Sequence, residues 1–244
     1  MIGISIAGFD PSGGAGILTD IKTFTSLGIH GTSVITALTA QNPKKFFSTY
    51  PIAIEYIEEQ FDSIVDEYNI NHGKTGLLYS DEVIKLIHKK LKSNNIKYVV
   101  DPVMIASSGG KLSKNDISKT LKNNLIKDSV LITPNISEAE ALSGIAIENI
   151  ADGIEASDML NKYSNVLITG GHLNGNSILN IDGKITVLKE DLIKTNNVHG
   201  SGCSLSAAIT SYLIKGEELI VAVKKSNKFV RIAIENGQHG TLSF

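Results

Sequence analysis

The stretch from residue 2 to residue 27 constrains the fold more than any other. Residues 2–7 are apolar and partly β-branched, the pattern of a buried strand. They run into Gly8-Phe9-Asp10-Pro11-Ser12-Gly13-Gly14-Ala15-Gly16, where four glycines in nine residues exclude both a strand and a stable helix interior. Ile17, Leu18, Ile21, Phe24 and Leu27 then recur at helical spacing, and Gly28 stops the pattern. Strand, glycine-rich loop and helix in this order open an α/β fold. The loop suits a small ligand approaching the backbone, and it also suits a plain turn. Its glycines do not follow Gly-x-Gly-x-x-Gly, and it lacks the Lys-Ser/Thr pair of a Walker loop, which sets aside both nucleotide fingerprints.

The alternation continues along the chain. Residues 32–38 read as a strand ending in Thr39-Ala40-Gln41-Asn42-Pro43. The Gln41 amide offers an acceptor and donors to a heterocycle edge, or to water in a turn. Residues 54–68 form an amphipathic helix, residues 70–78 a strand-like run with Gly76 near its end, and residues 81–91 a helix that Ser80 can cap. The strand at residues 97–100 leads into Asp101-Pro102-Val103-Met104. A carboxylate there is placed to hold a cation or its water shell, or to make an Asx turn or helix cap. Ser107-Ser108-Gly109-Gly110 reads as a flexible loop. Residues 130–133 form a strand ending in Thr133-Pro134-Asn135, and the next helix carries Glu138 and Glu140 in its first turn, where carboxylates complement the dipole. A helix at residues 150–163 precedes a strand at 166–169 and Gly170-Gly171-His172. Runs at 177–181 and 184–188 flank Asp182-Gly183, a hairpin signal that places an antiparallel pair at the sheet edge. Residues 219–236 form the last amphipathic helix, and residues 237–244 carry no strong pattern.

Among these loops, Asn197-Val198-His199-Gly200-Ser201-Gly202-Cys203-Ser204 joins a polar turn to the apolar start of a helix. Gly200 and Gly202 free the backbone to curl, and a helix start presents unpaired N–H donors with about half a positive charge. Such a turn binds phosphate. Cys203, the one cysteine, sits at this helix start, where its thiolate form is stabilised and could act as base or nucleophile. The bland alternative is a turn followed by a small core residue.

The chain of 244 residues suits one large α/β domain or two small ones. With no repeat and no shift in composition, residues 1–244 read as a single domain. A net charge of -2 gives no electrostatic footprint for nucleic acid or an anionic membrane surface. No apolar run approaches the roughly 20 residues needed to span a bilayer. One cysteine makes no intrachain disulfide, and residues 1–6 lack the basic and long apolar regions of a secretory signal, so a cytoplasmic location is expected.

Several loops together resemble one family. Ala7 to Gly16, Ser33 to Asn42, Asp101-Pro102-Val103-Met104, Ile132-Thr133-Pro134-Asn135 with Glu138-Ala139-Glu140-Ala141-Leu142, Gly170-Gly171-His172-Leu173, and His199-Gly200-Ser201-Gly202-Cys203 run in the order of the hydroxymethylpyrimidine and phosphomethylpyrimidine kinases of thiamine biosynthesis, within the ribokinase-like superfamily. The resemblance implies a three-layer α/β/α sandwich around a mostly parallel sheet. It implies ATP and Mg2+, and phosphorylation of 4-amino-5-hydroxymethyl-2-methylpyrimidine and then of its monophosphate. Gly8, Asp10 and Gln41 would face the pyrimidine, with Leu77 and Val103 as apolar walls. Asp101, Asn135 and Glu138 would serve magnesium and phosphates, with Asp101 and Glu138 as metal ligands, and Thr169 and Gly171 would approach the nucleotide. Gly200, Ser201, Gly202 and Cys203 would form the catalytic anion hole, with Cys203 at the position of the superfamily's catalytic Asp. A homo-oligomer, specifically a dimer, is implied.

The chain departs from the family pattern at particular positions. Thr169 stands where many members have a Lys at the ATP phosphates, which leaves Lys44, Lys74 and Lys111 as candidates for that charge. Val198 and Ser201 replace the more usual threonines, and Lys44-Lys45-Phe46-Phe47 differs from the usual loop. A pyridoxal kinase and a non-catalytic pyrimidine-binding regulator are the alternatives on the same scaffold.

Overall fold

The computed structural model describes residues 1–104, 116–170, 173, 175–189 and 191–244. In chain order its elements are β1 (Ile2–Phe9), α1 (Gly16–Ser26), β2 (His30–Asn42), β3 (Lys45–Pro51), α2 (Ile54–Glu67), β4 (His72–Thr75), α3 (Asp81–Ser93), β5 (Lys97–Val100), α4 (Ser118–Asn123), β6 (Leu131–Ile132), α5 (Ile136–Ser143), α6 (Ile150–Asn161), β7 (Val166–Ile168), β8 (Ser177–Ile181), β9 (Lys184–Leu188), α7 (Ser201–Ile214) and α8 (Leu219–Glu235). A short 3-10 helix, Ile126–Asp128, lies between α4 and β6.

The strands form one sheet in the order β3-β2-β1-β4-β5-β6-β7-β8-β9. From β2 to β7 all pairings are parallel. Antiparallel strands close both edges: β3 on β2, and the β8–β9 hairpin on β7. Parallel strands are buried on both faces, and their side chains show it. Val100, Ile132, Val166 and Ile168 enter a core under α2 to α6, whereas Val99, Leu131 and Leu167 enter a second core under α7 and α8. The expected three-layer α/β/α sandwich with a mostly parallel sheet is what forms.

After β2 the chain crosses back past β1 to lay β4 on its other side. The carboxyl ends of β1 and β4 therefore diverge into loops on opposite sides, the crevice where open α/β sheets bind ligands. The run expected over 70–78 pairs only through Thr75. Gly76 still donates to the Ile6 carbonyl at 2.9 Å, but Leu77 leaves the sheet and becomes part of the crevice wall.

Two elements differ from the sequence reading. Lys44-Lys45-Phe46-Phe47 is not a loop: Asn42 Oδ1 accepts the Lys44 and Lys45 amides, turning the chain into β3. As an edge strand β3 buries neither face, so it shows no alternation to read. The helix Ser118–Asn123 was also not anticipated. The Ser107 to Gly110 loop falls outside the described residues. Among the described residues no helix is long and apolar enough to cross a membrane.

Candidate active site

The loops at the carboxyl ends of the strands meet the N-terminus of α7 around a cavity of about 200 Å³, sized for a small ring compound. Gly8 is next to last in β1 and Asp10 lies just beyond it, Gln41 is next to last in β2, and Leu77 and Val103 stand beyond β4 and β5. Asp101, Asn135, Glu138 and Thr169 line a second side, and Gly200, Ser201, Gly202 and Cys203 the remaining wall. Every site residue expected from the sequence is thus gathered here, except Gly171, which lies outside the described residues together with His172 and Lys111.

The cradle is a bare helix end. Gly200 caps α7 with a φ of 85°, and no side chain accepts from the first turn. Ser201 N–H returns to the Val198 carbonyl at 3.1 Å, while the N–H groups of Gly202 and Cys203 have no protein acceptor among the described residues. Two free donors at a positive dipole end, inside a cavity, are an anion site. Only glycine fits at position 200: a Cβ would stand 1.8 Å from the Gly14 carbonyl oxygen, and φ is left-handed.

Cys203 is half-buried at the cavity wall. The Gly16 backbone and the Asp101 carboxylate are the polar groups nearest its thiol. The sequence reading, a thiolate favoured by the helix end, does not hold for this environment. Burial first, and then the Asp101 carboxylate, push the thiol well above its ordinary value. Without ligands, the proton stays on sulfur.

Asp101 and Glu138 are both buried and share the cavity. Glu138 also closes a capping box: its Oε2 accepts the Asn135 amide at 3.0 Å, and Asn135 Oδ1 accepts the Glu138 amide at 2.9 Å. The dipole role read from sequence is therefore real and coexists with cavity exposure. Burial, then repulsion from Asp101, raises the Glu138 carboxyl to about 8. Glu140 turns away, and its Oε1 accepts the Ile147 amide at 2.8 Å. Two buried carboxyls on one cavity wall suit a hard divalent cation that takes its other ligands from phosphate and water. Among the described residues no three His, Cys, Asp or Glu side chains gather as a protein-only metal cage.

Asp10, on the cavity wall, is also bound within its own loop. Its Oδ1 accepts Ser12 N–H at 2.9 Å, and its Oδ2 accepts Ser12 Oγ–H, Ala15 N–H and His199 Nε2 at 2.9, 3.0 and 2.7 Å. Burial would raise this carboxyl, but the donors from His199 and Ser12 outweigh it and hold the carboxyl below its ordinary value. With both oxygens engaged, Asp10 organises its loop while still lining the cavity.

Sequence reading named Lys74 as a candidate charge at the phosphates but not its pairing with Asp20 behind the wall. Lys74 is wholly enclosed, with Nζ 3.1 Å from each Asp20 carboxylate oxygen and 3.8 Å from Asp101 Oδ2. Burial would lower this ammonium, but Asp20, Cys203 and Asp101 raise it above the ordinary lysine value. It does not line the cavity, so it does not replace the lysine absent at Thr169, and Lys44 is exposed on the β2–β3 turn. Thr169 itself is tied to the Pro134 carbonyl through its N–H at 2.9 Å.

The phosphomethylpyrimidine kinase family model matches residues 10–242, from the substrate loop to the C-terminal tail. The chain belongs to that family. It is 38% identical to the hydroxymethylpyrimidine/phosphomethylpyrimidine kinase of Aquifex aeolicus over 98% of this chain and 96% of that one. The solved phosphomethylpyrimidine kinase of Clostridium difficile superposes with a TM-score of 0.84 at 38% identity, covering 96% of this chain and 99% of that one. The pyridoxal kinase of Bacillus subtilis, solved with ADP, superposes with a TM-score of 0.87 at 33% identity over 95% and 90%. The fold is ribokinase-like, and the strand-end loops and the start of α7 are the segments that meet in the cavity.

Proposed function

We propose that this kinase transfers the γ-phosphoryl group of ATP to the hydroxymethyl oxygen of 4-amino-5-hydroxymethyl-2-methylpyrimidine, and then phosphorylates the monophosphate, in thiamine biosynthesis. The observation that carries this reading is one cavity in which the unpaired α7 donors face a slot walled by Leu77 and Val103 and edged by Gln41. Gln41 meets the amino-pyrimidine edge, and the backbone at Gly8 permits close approach. Asp101 and Glu138, with Asn135 beside them, are the residues that would hold magnesium, which when bound offsets charge on the β- and γ-phosphate oxygens.

The chain's own part in transfer is to position and to neutralise. The N–H groups of Gly202 and Cys203 receive charge that develops on the moving phosphoryl group. The acceptor hydroxyl must lose a proton, and Cys203 beside Asp101 is the group proposed to take it. In a loose transition state that proton leaves late, so Cys203 can take it as its own S–H proton passes to the Asp101 carboxylate beside it. The monophosphate is already anionic and needs no base. Residues 1–244 act as one domain, working as a cytoplasmic dimer, which gel filtration checks.

A second reading is favoured by one observation, the superposition on pyridoxal kinases. The experiment that separates them offers hydroxymethylpyrimidine, its monophosphate and pyridoxal separately with Mg–ATP and reads product masses. Mono- and diphosphorylated pyrimidine are expected. Pyridoxal phosphate alone would move the assignment to vitamin B6 salvage, and binding without turnover would leave a regulator.

A further inference from the structure

Lys74 is a fully enclosed ammonium, and the phosphoryl-transfer roles above make no use of it. It projects from β4, a central strand, with two N–H groups facing the two oxygens of Asp20 on α1. Asp20 is held in turn by Ser5 Oγ on β1, at 2.5 Å. The Asp101 carboxylate lies on the remaining side, 3.8 Å away through Oδ2. Ser206 Oγ, on α7, reaches that same oxygen at 3.3 Å. A Cβ on Gly76, a cavity-lining residue, would stand 3.5 Å from Nζ, so the ammonium sits one layer behind the cavity wall.

Both polar neighbours therefore draw on one oxygen of Asp101, from the side away from the cavity. A carboxylate rotates freely about its last bond unless something distinguishes its oxygens. An ammonium anchored on Asp20 supplies that distinction, because its own position is fixed by a wholly buried pair. We propose that Lys74 is a positioning residue for phosphoryl transfer: anchored by Asp20, it holds Asp101 Oδ2 inward and leaves Oδ1 facing the cavity, where magnesium on the nucleotide phosphates would be held. Lys74 also links α1, which follows the substrate loop, to the strand end that serves the phosphates, so the two halves of the site share one buried strut.

The inference rests on Asp101 serving the phosphates, and its test separates the two ideas. Lys74→Met alone would leave Asp20 buried without a partner and endanger folding. Asp20→Asn is therefore compared with the Asp20→Asn/Lys74→Met double variant, with Asp101→Asn alongside and each fold checked by thermal melting. Asp20→Asn keeps the ammonium and is expected to lose less than about tenfold in kcat, whereas the double variant, with Asp101 misdirected, should lose about 100-fold with little change in the pyrimidine KM. Equal loss in both variants would make the pair a structural unit and overturn the proposal. Full kcat in Asp101→Asn would overturn the reading of Asp101 and the strut with it; loss there with an active double variant would overturn the strut alone. In the parent protein, the 15N signal of the protected Lys74 ammonium should shift when Mg2+ and a non-hydrolysable ATP analogue bind. An unmoved signal overturns the proposal without any variant.

Discussion

His199 Nε2 lies 2.7 Å from Asp10 Oδ2, joining two loops 189 positions apart in the chain. Asp10 is ionised and can only accept, so the imidazole N–H donates. The contact locks the glycine-rich loop, which edges the ring slot, to the turn that ends in the anion cradle. The C-terminal tail supports the same point, since His199 N–H donates to the Gly240 carbonyl at 3.3 Å. Replacing His199 by Asn withdraws a charge-assisted bond from a buried carboxylate, with an expected cost of about 1.5–3 kcal/mol in urea unfolding. Because the link spans both subsites, the pyrimidine KM should also rise about tenfold, equivalent to about 1.4 kcal/mol of binding. Unchanged stability and KM would reduce the contact to a bystander.

Cys203→Ala separates base from scaffold. If the thiol accepts the alcohol proton, phosphorylation of hydroxymethylpyrimidine should fall about 100-fold or more while phosphorylation of the monophosphate falls far less. The check is initial-rate measurement of each step with its own substrate. Equal losses would mean that Cys203 only shapes the cradle.

Gly200→Ala tests the cradle's backbone. A left-handed φ on a residue with a Cβ costs about 1–3 kcal/mol by itself, and here the new methyl also collides with the Gly14 carbonyl. The turn must open to admit it. Loss of ATP turnover together with a lower melting temperature is expected, read by a coupled ADP assay and by calorimetry.

The raised Glu138 carboxyl makes a pH prediction with a definite sign. Between its ordinary value and about 8 the folded chain keeps a proton that the unfolded chain releases, so this residue's contribution to stability declines as pH rises through that window. Urea titrations of the ligand-free protein at pH 5, 6.5 and 8, paired with Glu138→Gln, isolate the effect. The parent should lose stability relative to the variant with rising pH, and adding Mg–nucleotide at pH 8 should recover it. Parallel profiles would show that Glu138 is already ionised.

Local chemistry decided which parts of the fold the sequence revealed. The β8–β9 hairpin was legible to the residue because its turn is built by Asp182 and Gly183, whose φ values of 50° and 79° are those a two-residue hairpin turn demands. Ser80 was legible as a cap because it accepts its bond, from Val83 N–H at 3.4 Å, only three residues on. The edge strand β3 was not, since solvent on both faces leaves no period to detect. Within the site, the strand-end loops stood out through their glycine, proline and carboxylate patterns. The tasks of Asp10 and Lys74 did not, because each is set by a partner that the sheet brings from far along the chain: His199 in one case, Asp20 and Asp101 in the other.

The ring slot is built largely from the first half of the chain, and the cradle closes it with residues 199–203. No early fragment leaving the ribosome therefore holds a working site. A nascent chain that stops before α7 displays the pyrimidine wall with no phosphate donors opposite it. The site is complete only once about the last fifth of the polypeptide has docked.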